Sequence, residues 1–300
     1  MARLKAWFDR TGWSDLIIGL PYVWLILFFL LPFLIVVAMS VATKTPTAPP
    51  SSFGDALHVR AFLISLMNAA TATVFCLLLG YPMALALTRV SKSWRNILLM
   101  LVILPLWTSF LLRVYAWMGL MGKSSWFNAA LTDVWNWVVP IDWAVKSLPM
   151  MHSNFAVVLV MVYTYLPFMI LPLYASLERL DPTLDEAALD LGSRPWQVFP
   201  DVTLPQSIPG TIAGGLLVFI PATRELSAAI FLYGPDTRTM AVMLFDLSEE
   251  GNFERLAALG WLLLGATIVI VAIGYRVVGR DFMLRRGGSD RIPCRHDVLA

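Results

Sequence analysis

The polar residues of this chain are gathered into short connections, and between them lie long, almost wholly apolar runs. Six runs reach the ~20 residues that a helix needs to cross a bilayer. They fall at about 16–42, 62–88, 97–118, 154–177, 208–231 and 256–279. Each predicts a transmembrane helix, so the expected fold is all-α and polytopic. Pro21 and Pro32 predict bends in the first helix, and Gly80 and Pro82 an interruption near the end of the second. The third carries Pro105 and Arg113. The fifth carries Gly210, Gly214, Gly215 and Pro221, then Arg224 and Glu225. Residues 1–15 form an N-terminal segment, and 16–61 the first helix with a loop rich in Thr, Pro and Ser. Residues 62–279 form a core of five helices, and 280–300 a basic tail. Trp126, Trp135, Trp137 and Trp143, between the third and fourth helices, suit a segment lying along the bilayer interface.

The connection 178–207 has more internal order than a plain linker. Asp181 is placed to accept from the free N–H groups of a first helical turn, and Pro182 suits the position after it. Leu184, Ala187, Ala188 and Leu191 follow at i, i+3, i+4 and i+7 and make one apolar stripe. Asp185, Glu186 and Asp190 lie off that stripe, and Gly192 is suited to end the helix in a left-handed conformation. Pro195 opens a second turn carrying Trp196 and Phe199. The expected product is a short helix, a sharp corner and a second helical piece. An apolar stripe with an acidic flank is a shape that a groove on another protein receives.

Composition agrees with a membrane protein. Of 300 residues, 58% are hydrophobic and 14% charged, with a mean hydropathy of +0.72, whereas a soluble domain carries about 25% charged residues. The first apolar run is too long for a signal-peptide core, so a retained anchor is expected. Fourteen Lys and Arg fall on the side of the N-terminus, counting Arg276 at the end of the sixth run, and six on the other, with Arg113 and Arg224 deeper inside the runs. Positive charge concentrates on the cytoplasmic side of membrane proteins. Both termini and the 178–207 connection are therefore expected in the cytoplasm. Cys76 and Cys294 suggest no disulfide framework, and His58, His152 and His296 no metal site.

From Glu186 to Pro205 the chain reads Glu-Ala-Ala, three residues, Gly, nine residues, Val, one residue, Leu-Pro. This resembles the cytoplasmic loop of the permease subunits of binding-protein-dependent ABC importers, where Ile is usual at the Val202 position. The resemblance implies the type I ABC importer permease fold and a place in the bacterial inner membrane. It also implies a dimer of ABC ATPase subunits, a second permease subunit and a periplasmic substrate-binding protein as partners. ATPase coupling would fall to Leu184, Glu186, Ala187, Ala188, Leu191 and Gly192. Leu104 to Trp117 and Tyr163 to Leu177 resemble spermidine/putrescine-type permeases, and that likeness covers about 15–222. Arg224 to Ser227, Leu232 to Thr237 and Glu249 to Phe253 look more like ferric-iron-type permeases of the same superfamily. A polyamine is the expected cargo, with ferric iron as the alternative.

Within the expected spans, Glu225 is the one acidic residue. An ionisable group at that depth costs ~2.5–3.5 kcal/mol on insertion scales and faces a cavity or a partner. Glu225 either lines a cation pathway, or pairs with Arg113, or sits where the span has already ended. Arg113 itself lies near the outer end of its span, within snorkelling reach of water. Trp107, Tyr115 and Tyr165, with Tyr163 and Tyr174, offer aromatic faces to an ammonium group, or serve as packing and interfacial anchors. With Arg113, Arg224 and Glu225, the first three make up the candidate substrate pathway. Gly122-Lys123-Ser124 is no phosphate loop, because Trp117 stands where the leading glycine is required. No cofactor, metal, nucleic acid or enzymatic activity of this chain is expected. A secondary transporter calls for more intramembrane acids, and a membrane metalloprotease for intramembrane histidines.

Overall fold

The computed structural model describes residues 13–41, 56–138, 145–234 and 237–286. The N-terminal segment, the Thr/Pro/Ser-rich loop, Trp143, Asp236 and most of the basic tail lie outside the described residues. Among those described, secondary structure is entirely helical. The described residues form two compact units, those within 1–55 together with 244–264, and those within 56–243 together with 265–300.

In the first unit, α1 (Trp13–Leu25) and α2 (Leu31–Val41) are joined by a π turn, Ile26–Leu30. This turn stands just before Pro32, the site of an expected bend. A proline ring crowds the carbonyl four residues back, and a wider turn makes room for it. α1 continues through Pro21. Gly19–Ala38 is apolar and unburied by protein, as a lipid-facing span is, and Phe33 meets Trp261 edge-on at 5.0 Å.

The second unit is built on α3 (Ala56–Arg89), α7 (Asn154–Leu177) and α10 (Leu204–Thr223), which pack on one another. Between α3 and α7 runs a seam of buried small residues, Ala69, Ala72, Cys76 and Ala84, filled by Met161 and Met169 of α7. Lipid is as apolar as leucine, so helices in a bilayer associate by close packing where small residues allow it. Gly210 brings α10 closest to α7. A Cβ there would stand 2.9 Å from the Pro172 carbonyl. The expected interruption at Gly80 and Pro82 is absent, and α3 runs through both. One lost N–H costs less in a membrane than an unravelled turn with several unsatisfied groups.

Two expected spans are broken instead. The third is α4 (Lys92–Trp107) and α5 (Phe110–Met121), which meet at 92°. Pro105 lacks the N–H that would continue the ladder, Thr108 is extended, and its hydroxyl donates to the Pro105 carbonyl at 2.8 Å. The fifth ends at Thr223, and after Arg224–Leu226 a short α11 (Ser227–Leu232) begins. α12 (Met240–Glu249) and α13 (Phe253–Arg286) complete the described residues. Five described helices have the length and apolarity to cross a membrane, and the bent α4–α5 pair stands in place of the sixth.

The tryptophan-rich connection forms α6 (Trp126–Val138), an amphipathic helix turned inside out. Its polar residues Asn128, Thr132 and Asn136, spaced by four, face the returning chain. Asn128 Oδ1 and Thr132 Oγ1 each accept from Leu148 N–H at 3.2 Å, and Asn136 Oδ1 accepts from Val145 N–H at 3.0 Å. The outward face carries Trp126, Val134, Val138 and Trp137, the last 87% exposed.

Candidate functional site

Two regions of the second unit carry chemistry. One is the helical corner of the 178–207 connection. α8 (Pro182–Asp190) starts where the Asp181 carboxylate accepts the Thr183 N–H at 3.0 Å. That N–H holds the Asp181 carboxyl below its ordinary value. The helix ends in a Schellman pair of bonds, Ser193 N–H to the Ala188 carbonyl at 3.1 Å and Gly192 N–H to the Leu189 carbonyl at 2.9 Å. Gly192 takes φ +92°, which glycine adopts without cost. α9 (Pro195–Val198) follows, then a π turn, Phe199–Thr203, that runs straight into α10. The predicted stripe exists. Leu184, Ala187 and Leu191 are exposed, Leu191 at 88%, with Ala188 half-buried and Glu186 exposed beside them. Trp196 adds a further exposed apolar surface at the corner.

The other region lies where α10 breaks. Glu225 is buried, 9% exposed. One carboxylate oxygen accepts the Tyr165 hydroxyl of α7 in a short hydrogen bond, and the other accepts the Ala228 N–H of α11 at 3.0 Å. The same carboxylate therefore helps to hold the break. Arg113 of α5 comes within electrostatic range of Tyr165 but makes no ion pair with Glu225 among the described residues. Its Nε and Nη1 are enclosed without a hydrogen-bond partner, and its guanidinium carbon lies 5.4 Å from the Phe110 ring centre. Tyr115, mostly exposed, meets Phe231 of α11 at 5.7 Å.

The structure thus gathers Tyr165, Glu225 and Arg113, with Tyr115 reaching α11. It leaves Trp107, 79% exposed at the α4–α5 bend, and the exposed Arg224 without contacts to that group. Among the described residues, both donors to the Glu225 carboxylate are neutral groups. The apolar recess of about 330 Å³ between α3, α4 and α7, lined by Met83, Leu98, Val102 and Pro167, offers a charged solute almost nothing. Sequence reasoning missed Tyr81, whose hydroxyl lies 2.7 Å from Ser207 Oγ and whose ring meets Phe199. It also missed the Arg95–Glu178 ion pair at 2.7 Å, which ties α4 to the end of α7. A tyrosine inside an apolar run was the one signal for the first. Nothing in sequence spacing pointed to the second.

The family described as binding-protein-dependent transport system inner membrane component matches residues 76–280. The chain belongs to this family. It is 34% identical over 274 residues to the spermidine/putrescine transport system permease protein PotB of Haemophilus influenzae, covering 87% of this chain and 93% of that protein. It is 37% identical over 208 residues to the PotB of Escherichia coli K12, covering 66% of this chain and 73% of that protein. A crystal structure of a bacterial ABC transporter involved in the import of the acidic polysaccharide alginate superposes with a TM-score of 0.70 at 19% identity, over 93% of this chain and 99% of that one. The related alginate transporter has been crystallised with a pentasaccharide-bound periplasmic protein. The fold is that of an ABC importer permease, a transport component of the inner membrane that works with a binding protein.

Proposed function

We propose that the chain is a permease subunit of an ATP-driven importer and forms half of a pathway for a polyamine such as putrescine or spermidine. The reading is carried by 34% identity to a spermidine/putrescine permease over 87% of the chain. The chemistry at Glu225 is compatible with it: a buried carboxylate without a cationic partner suits an ammonium group, and Tyr165 and Tyr115 supply aromatic faces. The relatives are transport components, so hydrolysis falls to separate ATPase subunits that receive α8 in a groove. The partner half is a different permease chain. The lysine and arginine asymmetry supports a cytoplasmic position for both termini and α8. ATP-driven closure of the ATPase dimer then moves the α8 corners and switches the pore between outward and inward access.

Arg224 to Ser227 and Glu249 to Phe253, with their likeness to ferric-iron-type permeases, favour one alternative cargo. Cells lacking this chain are expected to lose high-affinity putrescine or spermidine uptake. Normal polyamine uptake with impaired ferric-iron uptake would replace the polyamine reading by that alternative.

A further inference from the structure

Outside the Glu225 group and the exposed stripe of α8, Tyr81 and Ser207 make a buried polar contact between α3 and α10. Tyr81 sits in α3, 8% exposed, eight residues before the helix ends. Its hydroxyl lies 2.7 Å from the Oγ of Ser207, a residue with no exposed surface. Ser207 donates its single hydroxyl proton to the Leu204 carbonyl at 2.9 Å. A carbonyl only accepts, so the proton between Tyr81 and Ser207 belongs to Tyr81. The Tyr81 ring also meets the Phe199 ring edge-on, with centres 5.4 Å apart at 89°.

These two contacts fall on either side of the π turn. Phe199 begins it, and Ser207 lies one helical turn past its end. α9, the π turn and α10 form one continuous helix from Trp196 to Thr223, and α8 packs on its first two segments. A π turn holds one residue more than an α turn. If it relaxed to α, everything before it would rotate by about 100° relative to everything after it. Phe199 and Ser207 would then no longer face the same tyrosine. Tyr81 touches both ends, so it fixes the register of the turn and binds the corner carrying α8 to α3.

We infer that Tyr81 is a positioning residue for coupling: it clamps the π turn, so that a displacement of α8 is delivered to α3 as well as to α10. This rests on the proposed reading of α8 as the element that docks into the ATPase. Without the clamp, α8 still docks and ATP is still hydrolysed, but the turn absorbs part of the stroke.

The test uses the complete importer, with its ATPase, partner permease and binding protein, in proteoliposomes. Radiolabelled putrescine is the probe, and Tyr81→Phe, Ser207→Ala and the double variant are compared. Tyr81→Phe keeps the ring contact and removes only the hydroxyl. ATPase co-purification and membrane level are expected to stay at wild type. Putrescine imported per ATP, and the ratio of binding-protein-stimulated to basal hydrolysis, are each expected to fall about fivefold, the effect of one buried hydrogen bond on an equilibrium. The double variant is expected to fall no further, since both single changes remove the same bond. Wild-type ratios in both single variants would overturn the inference. So would a loss of ATPase assembly in Tyr81→Phe, which would make the residue a support of the fold only. Glu186→Lys, run in parallel, tests the docking reading separately. If it leaves assembly and hydrolysis intact, α8 does not dock, and the clamp has no stroke to transmit. If it abolishes assembly while the Tyr81→Phe ratios stay at wild type, only the clamp fails.

Discussion

Replacing Gly192 by valine tests whether the shape of the corner matters. At φ +92° nothing beyond its own chain neighbours lies within 4 Å of the place where a Cβ would stand, so valine meets no obstacle from the rest of the fold. The penalty is therefore in the backbone alone, about 1–3 kcal/mol for a non-glycine residue held in such a region, and larger for a β-branched one. Relief comes from giving up the two bonds that close the helix, those of Ser193 to Ala188 and Gly192 to Leu189. α8 has nine residues, too few to persist without its caps and packing. A shift of about 2 kcal/mol moves the capped-to-open ratio by roughly thirtyfold. In the open form Leu191 is no longer presented in line with Leu184 and Ala187. ATPase co-purification and stimulated hydrolysis in proteoliposomes are expected to fall at least tenfold, with normal membrane levels. Gly251, in the turn between α12 and α13, supplies the control, with φ +72° and equally open space. Gly251→Val carries the same kind of strain outside the coupling loop and is expected to leave ATPase association unchanged. Full coupling in Gly192→Val, or equal loss in both variants, would refute the reasoning.

Four further outcomes are expected. Glu186→Lys reverses the charge beside the exposed stripe and should lower ATPase association several-fold in a pull-down, because a wrong-sign charge at a docked surface costs affinity; unchanged association would overturn the docking of α8. Glu225→Gln should cut putrescine uptake at least tenfold, with Tyr165→Phe intermediate, because the amide keeps the bond from Ala228 N–H but loses the charge; equal uptake in Glu225→Gln would leave the residue a helix cap alone. The depressed Asp181 carboxyl contributes to capping above its unfolded value of about 3.8, and that contribution is lost as pH falls through the lower folded value. Coupling should therefore be insensitive to Asp181 between pH 5 and 8 (about the range of the assay), and a steep change there that vanishes in Asp181→Asn would contradict this. In a background lacking Cys76 and Cys294, a cysteine at Trp137 should resist a water-borne maleimide that labels one at Lys123; rapid labelling at both would take the outward face of α6 out of the bilayer interface.

The sequence by itself determined the membrane class, the helical fold and the corner at 178–207. Those depend on local quantities. Runs of apolar residues set the spans, and Asp181, Pro182 and Gly192 set the ends of α8, because capping and backbone conformation involve only neighbours along the chain. Asn154–Leu177 appears as a helix with the bounds its apolar run predicted. Tertiary structure decided the features that need a second element. Gly80 and Pro82 read as an interruption, yet α3 continues, since a bilayer penalises unpaired backbone more than one missing bond. The run at 97–118 read as a single span containing Pro105, yet the chain turns by 92° after that residue, where the Thr108 hydroxyl takes a backbone acceptor of its own. Glu225 was marked out by its charge, but its partners were not, because Tyr165 lies sixty residues away on another helix. Tyr81 and Ser207 are 126 residues apart and individually unremarkable. Only the packing of α3 on α10 makes them one contact, because a buried hydroxyl must find its partner wherever the fold puts one.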